Sequence, residues 1–320
     1  MRTDSFGEAA DGGGRFAFVI SPPLQPLADP AATWHSLTGP AVMPRAVAVP
    51  KILVFDSGLG GLTVFREVAR ARPDAHFVYV ADDALFPYGA IEETRLVERV
   101  VSLMGDFIAE HRPDLVVVAC NTASTLVLPA LRRHFAVPFV GTVPAIKPAC
   151  ASSVSQRVSV LGTEATVKRE YTQALIRQFA QGCAVTLVGS ARLAGWAERE
   201  LAGNPVDDDV LAAEIAPCFV EDGGGRTDTV VLACTHYPLL IDRLVRLAPW
   251  PVRWLDPASA IARRVVALVG EACGPASAEA AKIVFTSGRK PPEAVTRKLA
   301  LHRALSLPAE PVVDRLAPTL

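Results

Sequence analysis

Two of the six cysteines stand in matching surroundings. Val117-Val118-Ala119-Cys120-Asn121-Thr122 and Val231-Leu232-Ala233-Cys234-Thr235-His236 repeat one pattern, an apolar run that ends in Cys and a small polar residue. Upstream of each lies another apolar run ending in a glycine-containing turn. These are Asp56-Ser57-Gly58, 64 residues before Cys120 (56 to 120), and Gly162-Thr163-Glu164, 72 residues before Cys234 (162 to 234). A thiol at the end of a strand and the start of a helix meets free backbone N–H groups and the positive end of the helix dipole. Both favour the thiolate and should lower its pKa from about 8.5. A single such cysteine, with His236 as its base, suits acyl transfer. Two of them on opposite walls of a cleft suit inversion of a stereocentre, in which one group removes the α-proton from one face and a second, protonated group returns a proton to the other.

The anion formed between those two transfers needs hydrogen-bond donors. Backbone amides at the turns and the side chains of Ser57, Asn121, Thr122 and Thr235 supply them beside each cysteine. Asp56 on the first side, and His236 with an acidic residue on the second, are candidates to tune the thiols. Plainer readings apply elsewhere. A buried cysteine is most often a small core residue, and Cys150, Cys183, Cys218 and Cys273, which lack the repeated context, are read that way. Cys120, Cys234 and His236 could ligate zinc, but structural zinc sites take four ligands at paired short spacings; no metal is expected. Asp56-Ser57-Gly58-Leu59-Gly60-Gly61-Leu62-Thr63 follows a strand and opens a helix as a phosphate-binding loop would, yet a G-x-G-x-x-G register puts Thr63 at its last glycine. The preferred reading is a tight turn that lets backbone approach a small ligand. Pro87-Tyr88-Gly89 reads most simply as a turn, with a Tyr backbone or ring that lines the cleft as the alternative. His35, His76, His111, His134 and His302 have no chemical context.

The elements that must hold these residues are short β-rich runs alternating with longer amphipathic ones, the pattern of β-α units and a parallel sheet covered on both faces. Strands are expected at 52–55, 76–81, 115–119, 139–141, 158–162, 184–189, 230–233 and 252–255. Helices are expected at 63–71, 94–110, 124–134, 166–177, 207–220, 239–246 and 258–269. The fold expected is therefore α/β, with two similar parallel-sheet domains facing each other across a cleft. Ligands of such sheets lie outside the carboxyl ends of the strands, which would set Cys120 and Cys234 on facing walls. The length of 320 residues agrees with two domains at roughly 100–200 residues each. Half the chain is hydrophobic and 20% is charged, with 32 basic against 33 acidic residues. A net charge of −1 leaves no positive field for nucleic acid, and no apolar run reaches the roughly 20 residues of a membrane span. Scattered cysteines without C-x-x-C pairs read as reduced thiols in a cytoplasm. The first 49 residues, rich in Gly, Pro and Ala and without sustained period, read as a poorly ordered extension without a secretion signal, with Met43 as an alternative start.

The blocks Asp56-Ser57-Gly58-Leu59-Gly60-Gly61-Leu62-Thr63, Pro87-Tyr88-Gly89, Cys120-Asn121-Thr122-Ala123-Ser124 and Cys234-Thr235-His236-Tyr237-Pro238 resemble, in order, the four signature blocks of the glutamate racemases, members of the Asp/Glu racemase superfamily. The resemblance runs from about Lys51 to about Gly288. It implies a cofactor-independent isomerase with two α/β domains around a cleft, which interconverts L- and D-glutamate and supplies D-glutamate for bacterial peptidoglycan. Domain limits of 50–145 with about 259–300, and 146–258, follow from it. Cys120 would take the proton from the D-enantiomer and Cys234 from the L-enantiomer. Asp56, Ser57, Tyr88, Gly89, Asn121, Thr122, Thr235 and His236 would hold the substrate, with Asp56 and His236 assisting the thiols. Glu198, in Leu193-Ala194-Gly195-Trp196-Ala197-Glu198, falls where the family places an acidic residue on the second side. The preceding Ser190-Ala191 departs from the family's usual Cys-Pro, and Gly141-Thr142-Val143-Pro144-Ala145 departs from a form ending in an acidic residue and proline. The resemblance also implies a homodimer; the charge balance and the short apolar runs speak against a nucleic-acid or membrane partner. An aspartate or hydantoin racemase of the same superfamily is the alternative, set against by His236, where aspartate racemases tend to carry an acidic residue. An inert descendant that only binds an amino acid or a protein is the reading from another class.

Overall fold

The structure is a computed structural model that describes residues 49–223 and 225–290. The extension expected before Val49, Met43 as a start, His35, His302 and the stretch of the first domain expected beyond Lys290 lie outside the described residues. Along the first part of the chain run β1 (Lys51–Asp56), α1 (Leu62–Ala71), β2 (His76–Ala81), α2 (Glu93–His111), β3 (Leu115–Val118), α3 (Asn121–His134), β4 (Phe139–Gly141) and α4 (Ile146–Ser152). There follow β5 (Arg157–Thr163), α5 (Glu164–Lys168), α6 (Glu170–Phe179), β6 (Ala184–Ser190), α7 (Leu193–Leu201), α8 (Asp208–Ile215), the ribbon β7 (Glu221–Asp222) and β8 (Gly225–Arg226), β9 (Thr229–Ala233), α9 (Ile241–Leu247), β10 (Arg253–Leu255), α10 (Ala258–Val269) and β11 (Lys282–Phe285).

Two all-parallel sheets result, one in the order β11-β2-β1-β3-β4 and one in the order β10-β9-β5-β6. Strands buried on both faces read as continuous apolar runs, and alternate residues serve opposite faces. On β1, Ile52 and Val54 pack with Val64, Phe65 and Val68 of α1 and Ile261 and Val265 of α10. Leu53 and Phe55 pack with Leu96, Val100 and Met104 of α2 and Val127 and Leu131 of α3. One face of the second sheet is closed by Leu193 and Ala197 of α7, Leu211 and Ile215 of α8 and Leu244 of α9. The chain passes from the first sheet to the second after β4 and returns after β10, so α10 and β11 rejoin the beginning of the chain.

All eight expected strands are present, but the helices depart from expectation in four places. The helix expected at 166–177 is broken at Arg169, which is extended. There Thr172 Oγ1 donates to the Thr166 carbonyl at 2.6 Å, an acceptor that a continuous helix would offer to the Glu170 N–H. The helix expected at 207–220 stops at Ile215, because Pro217 has no N–H to give and clashes with the preceding turn. Helices α4 and α7 and strand β11 were not foreseen. Among the described residues no helix is long and apolar enough to cross a membrane.

Candidate active site

Strand β3 ends beside β1, and the chain turns at once into α3, with Cys120 as the residue that starts it. Ser124 N–H donates to the Cys120 carbonyl at 2.8 Å, and Ser124 Oγ donates to the Val118 carbonyl at 2.7 Å, which fixes the turn. The Cys120 sulfur lies 3.5 Å from Ser57 Oγ. The expectation of a lowered thiol pKa is overturned here: the Cys120 pKa is pushed up to about 12. Complete burial of the sulfur is the main cause and the Asp56 charge adds to it; Ser57 and the Ala123 N–H favour the thiolate but lose. The charge of Cys234 also raises it, which puts the two sulfurs within electrostatic reach of each other.

The second thiol is held differently. Cys234 follows β9, and a 3₁₀ turn, Tyr237–Leu240, precedes α9. The Cys234 sulfur lies 3.9 Å from His236 Nδ1, while His236 Nε2 lies 3.1 Å from Glu198 Oε1 and 3.2 Å from the Gly60 nitrogen. One ring nitrogen cannot donate to Glu198 and accept from Gly60 at once. Burial opposes charge on the ring, but the Cys234 sulfur, the Glu198 carboxylate and the Asp56 charge outweigh it and push its pKa up to about 10. The ring is therefore an imidazolium that donates to Cys234 and to Glu198. Glu198 in turn is held below the usual carboxylate range: burial opposes this, but His236, the Leu59 N–H and Arg289 prevail.

The glycine-rich turn is where the walls meet. Leu59 N–H donates to Glu198 Oε1 at 2.8 Å, Thr235 Oγ1 donates to Asp56 Oδ1 at 3.1 Å, and Thr63 Oγ1 donates to the Thr235 carbonyl at 3.2 Å. A Cβ on Gly60 would stand 2.4 Å from His236 Nδ1, and one on Gly58 would stand 2.4 Å from Glu198 Oε1. Close approach of backbone was expected; its partners are side chains of the other wall. Asp56 is fully buried, and burial raises its carboxyl pKa against the pull of His236, the Gly58 and Gly61 N–H groups and Thr235.

Tyr88 turns its hydroxyl away to Asp82 at 2.6 Å, so its backbone and ring, with Gly89 opposite Thr163, are what it can present. Asp82 also accepts from Arg99 at 2.8 Å and from Thr286 Oγ1 at 2.5 Å, and it is a support that the sequence reading missed. Thr163 and Thr166 were missed as well. Thr122 Oγ1 lies 3.0 and 3.3 Å from their hydroxyls, and the signal was available: Thr163 ends β5 at the position of the echoed turn and caps α5. Asn121 Nδ2 is buried without a hydrogen-bond partner among the described residues, a donor left for a ligand. Ser190, at the departure from Cys-Pro, accepts from the Leu193 N–H at 2.9 Å and so starts α7, the helix that carries Glu198. Of the remaining cysteines, Cys150 and Cys218 are buried, Cys183 is half-buried and Cys273 is exposed. Among the described residues no group of three or more His, Cys, Asp or Glu is arranged to hold a metal ion.

Two thiols thus stand at the carboxyl ends of strands in the two sheets, one beside the Ser57 hydroxyl and one beside the His236 ring. Residues 56–265 match the family model described as Asp/Glu/Hydantoin racemase, and the chain belongs to that family. It is 55% identical over 253 residues to the glutamate racemase of Brucella ovis, covering 77% of this chain and 90% of that one. It is 58% identical over 230 residues to the glutamate racemase of Brucella anthropi, covering 72% and 83%. Among solved structures it resembles Escherichia coli glutamate racemase in complex with L-glutamate and the activator UDP-MurNAc-ala. That match has a TM-score of 0.72 and 42% identity, covering 79% of this chain and 95% of that one.

Proposed function

We propose that this chain interconverts L- and D-glutamate by moving a proton on and off the α-carbon between Cys120 and Cys234. The observation that carries the reading is the pairing of each thiol with a different partner inside one buried site, Ser57 at 3.5 Å and His236 at 3.9 Å. Identity to glutamate racemases of two Brucella species supports the choice of substrate. In the resting site Cys120 is a thiol, the form that can deliver a proton. His236, as an imidazolium, faces the sulfur of Cys234 and stabilises negative charge there, so Cys234 removes the α-proton of L-glutamate while Cys120 protonates the opposite face. The D-enantiomer runs the same steps in reverse. The carbanion is stabilised by donors at the turns, with Asn121 Nδ2 as one that no protein group occupies, and enclosure keeps water from it.

Asp56, Ser57, Tyr88, Gly89, Asn121, Thr122, Thr235 and His236 are the proposed substrate contacts, and Thr163 and Thr166 join them by their contacts with Thr122. Glu198 and Asp56 set the charge of His236. Carried with this reading are the domain limits 50–145 with about 259–300 and 146–258, a cytoplasmic homodimer, a reaction without cofactor, and supply of D-glutamate for peptidoglycan. The test is a circular-dichroism assay in deuterium oxide with L-glutamate and L-aspartate supplied separately, without pyridoxal phosphate or metal. Loss of optical activity from glutamate with deuterium at the α-carbon is expected; turnover of aspartate alone would give the site to the aspartate branch of the family.

A further inference from the structure

The chain beyond β11 is tied to the loop that follows β2. Thr286 Oγ1 donates to Asp82 Oδ1 at 2.5 Å, while the Ser287 N–H and hydroxyl donate to Asp83 at 3.0 and 2.6 Å. The next side chain but one, Arg289, lies against the ring of Phe285, its guanidinium 5.0 Å from the centroid, and its Nε meets Asp83 Oδ2 at 2.7 Å. The other end of the guanidinium, Nη2, is 3.8 Å from Glu198 Oε2. Glu198 thus divides its work between two oxygens. Oε1 takes the Leu59 N–H and the His236 ring, and Oε2 faces Arg289. The same loop sets the ring of Phe86 against that of His236, 5.2 Å from centre to centre. Residues 286–290 lie outside the stretch matched by the family model, which ends at residue 265.

We propose that Arg289 is a positioning residue of the Cys234 wall: anchored by Asp83, it holds the Glu198 carboxylate in the orientation that meets His236 Nε2 and so aims the ring at Cys234. The inference rests on the racemase reading, because Glu198 acts on the reaction only through His236. Arginine suits the place, since its planar fork can face two carboxylates on different sides at once. The charged or titratable groups around Glu198 are His236 and Arg289 directly, Tyr79 from β2, and Asp56 and Cys234 beyond the ring. Of these, Arg289 alone is half-exposed, with 47% of its side chain accessible.

The sign of its effect follows. Arg289 favours ionised Glu198, so removing its charge raises the pH at which Glu198 loses its proton, and the acid limb of kcat/KM moves toward neutrality. Expected for Arg289→Gln is a fall in kcat/KM at acid pH about two- to fivefold greater than at pH near 8, the size of a partly exposed ion pair. Arg289→Lys, which keeps the charge, should restore most of the acid limb, with an unchanged melting temperature excluding unfolding as the cause. The histidine-labelled full chain gives a second reading that needs no turnover: the acid-side inflection of the His236 ring ¹⁵N signals, which reports Glu198, should move to higher pH in Arg289→Gln. Profiles and inflections that superpose on the parent would overturn the proposal. An inflection that shifts in Arg289→Gln, with a parent that does not racemise glutamate, would instead remove the reading of function and leave Arg289 as the support of Glu198.

Discussion

Cys120 and Cys234 end equivalent strands, β3 and β9, each a neighbour of the first strand of its own sheet, yet the chain leaves them in different ways. A 14-residue helix begins directly after Cys120, whereas a 3₁₀ turn and the seven-residue α9 follow Cys234. Cys120 has a neutral hydroxyl for company, and Cys234 has an imidazolium backed by a carboxylate. A repeated scaffold therefore holds a pair of thiols that are alike in kind and unlike in tuning. The Cys120 side also shows that the start of a helix does not by itself make a thiolate: the stabilisation at an N-terminus is at most about 2 kcal/mol, and full burial beside a carboxylate exceeds it. Enantiomers have equal free energies, so kcat/KM must be the same in both directions, and the unlike tuning can appear only in kcat and KM taken separately.

The largest expected effect comes from the sulfurs. Cys120→Ser and Cys234→Ser should each lower racemisation about 10³-fold with an unchanged circular-dichroism spectrum. In deuterium oxide Cys120→Ser should still exchange the α-proton of L-glutamate, and Cys234→Ser that of D-glutamate. Exchange of the same enantiomer by both variants would break the assignment of the two walls. His236→Asn should lower kcat about 10²-fold from L-glutamate and less from D-glutamate, with KM values shifting so that the two kcat/KM values stay equal. Equal losses of kcat would show that the imidazolium does not distinguish the walls.

Gly60→Ala tests the meeting of the walls. Its Cβ would stand 2.4 to 2.7 Å from three atoms of a ring already fixed by Cys234 and Glu198. A loss of about 1–3 kcal/mol in stability and about tenfold in rate is expected, whereas Gly195→Ala in α7, with nothing within 4 Å, should leave the rate unchanged. The smallest effect is on alkaline stability. The thiol of Cys120 ionises near 9 in the unfolded chain and about 12 in the folded one. Its contribution to stability is complete below pH 9 and is lost as pH rises toward 12. The melting temperature of Cys120→Ser should fall less steeply over that range than that of the parent. An unaltered slope would mean that burial does not hold Cys120 as a thiol.

Much of this architecture could be read from the chain because strands buried on both faces must be apolar throughout: Ile52-Leu53-Val54-Phe55, Leu115-Val116-Val117-Val118 and Val230-Val231-Leu232 announce themselves. Strand β11 escaped notice because Lys282-Ile283-Val284-Phe285 is an edge strand of four residues with one exposed end, and α4 because its seven residues are too few to show a period. In the site, residues beside the cysteines were legible, since strand ends carry chemistry in such sheets. Supports such as Asp82 and Arg289 were not, because they act from 204 residues apart in the chain, through Thr286, or across the walls, through Glu198. The thiol pKa was misjudged for the same reason: burial is set by the whole fold, and a strand-helix junction is only its local part.

The return of the chain after β10 has a mechanical corollary. Two strands of backbone, about 142–145 and 256–257, span the gap between the sheets. A single tether would restrain one point of contact between the halves, whereas a double one ties them at two. Cys120 and Cys234 each lie on a different side of that pair of crossings.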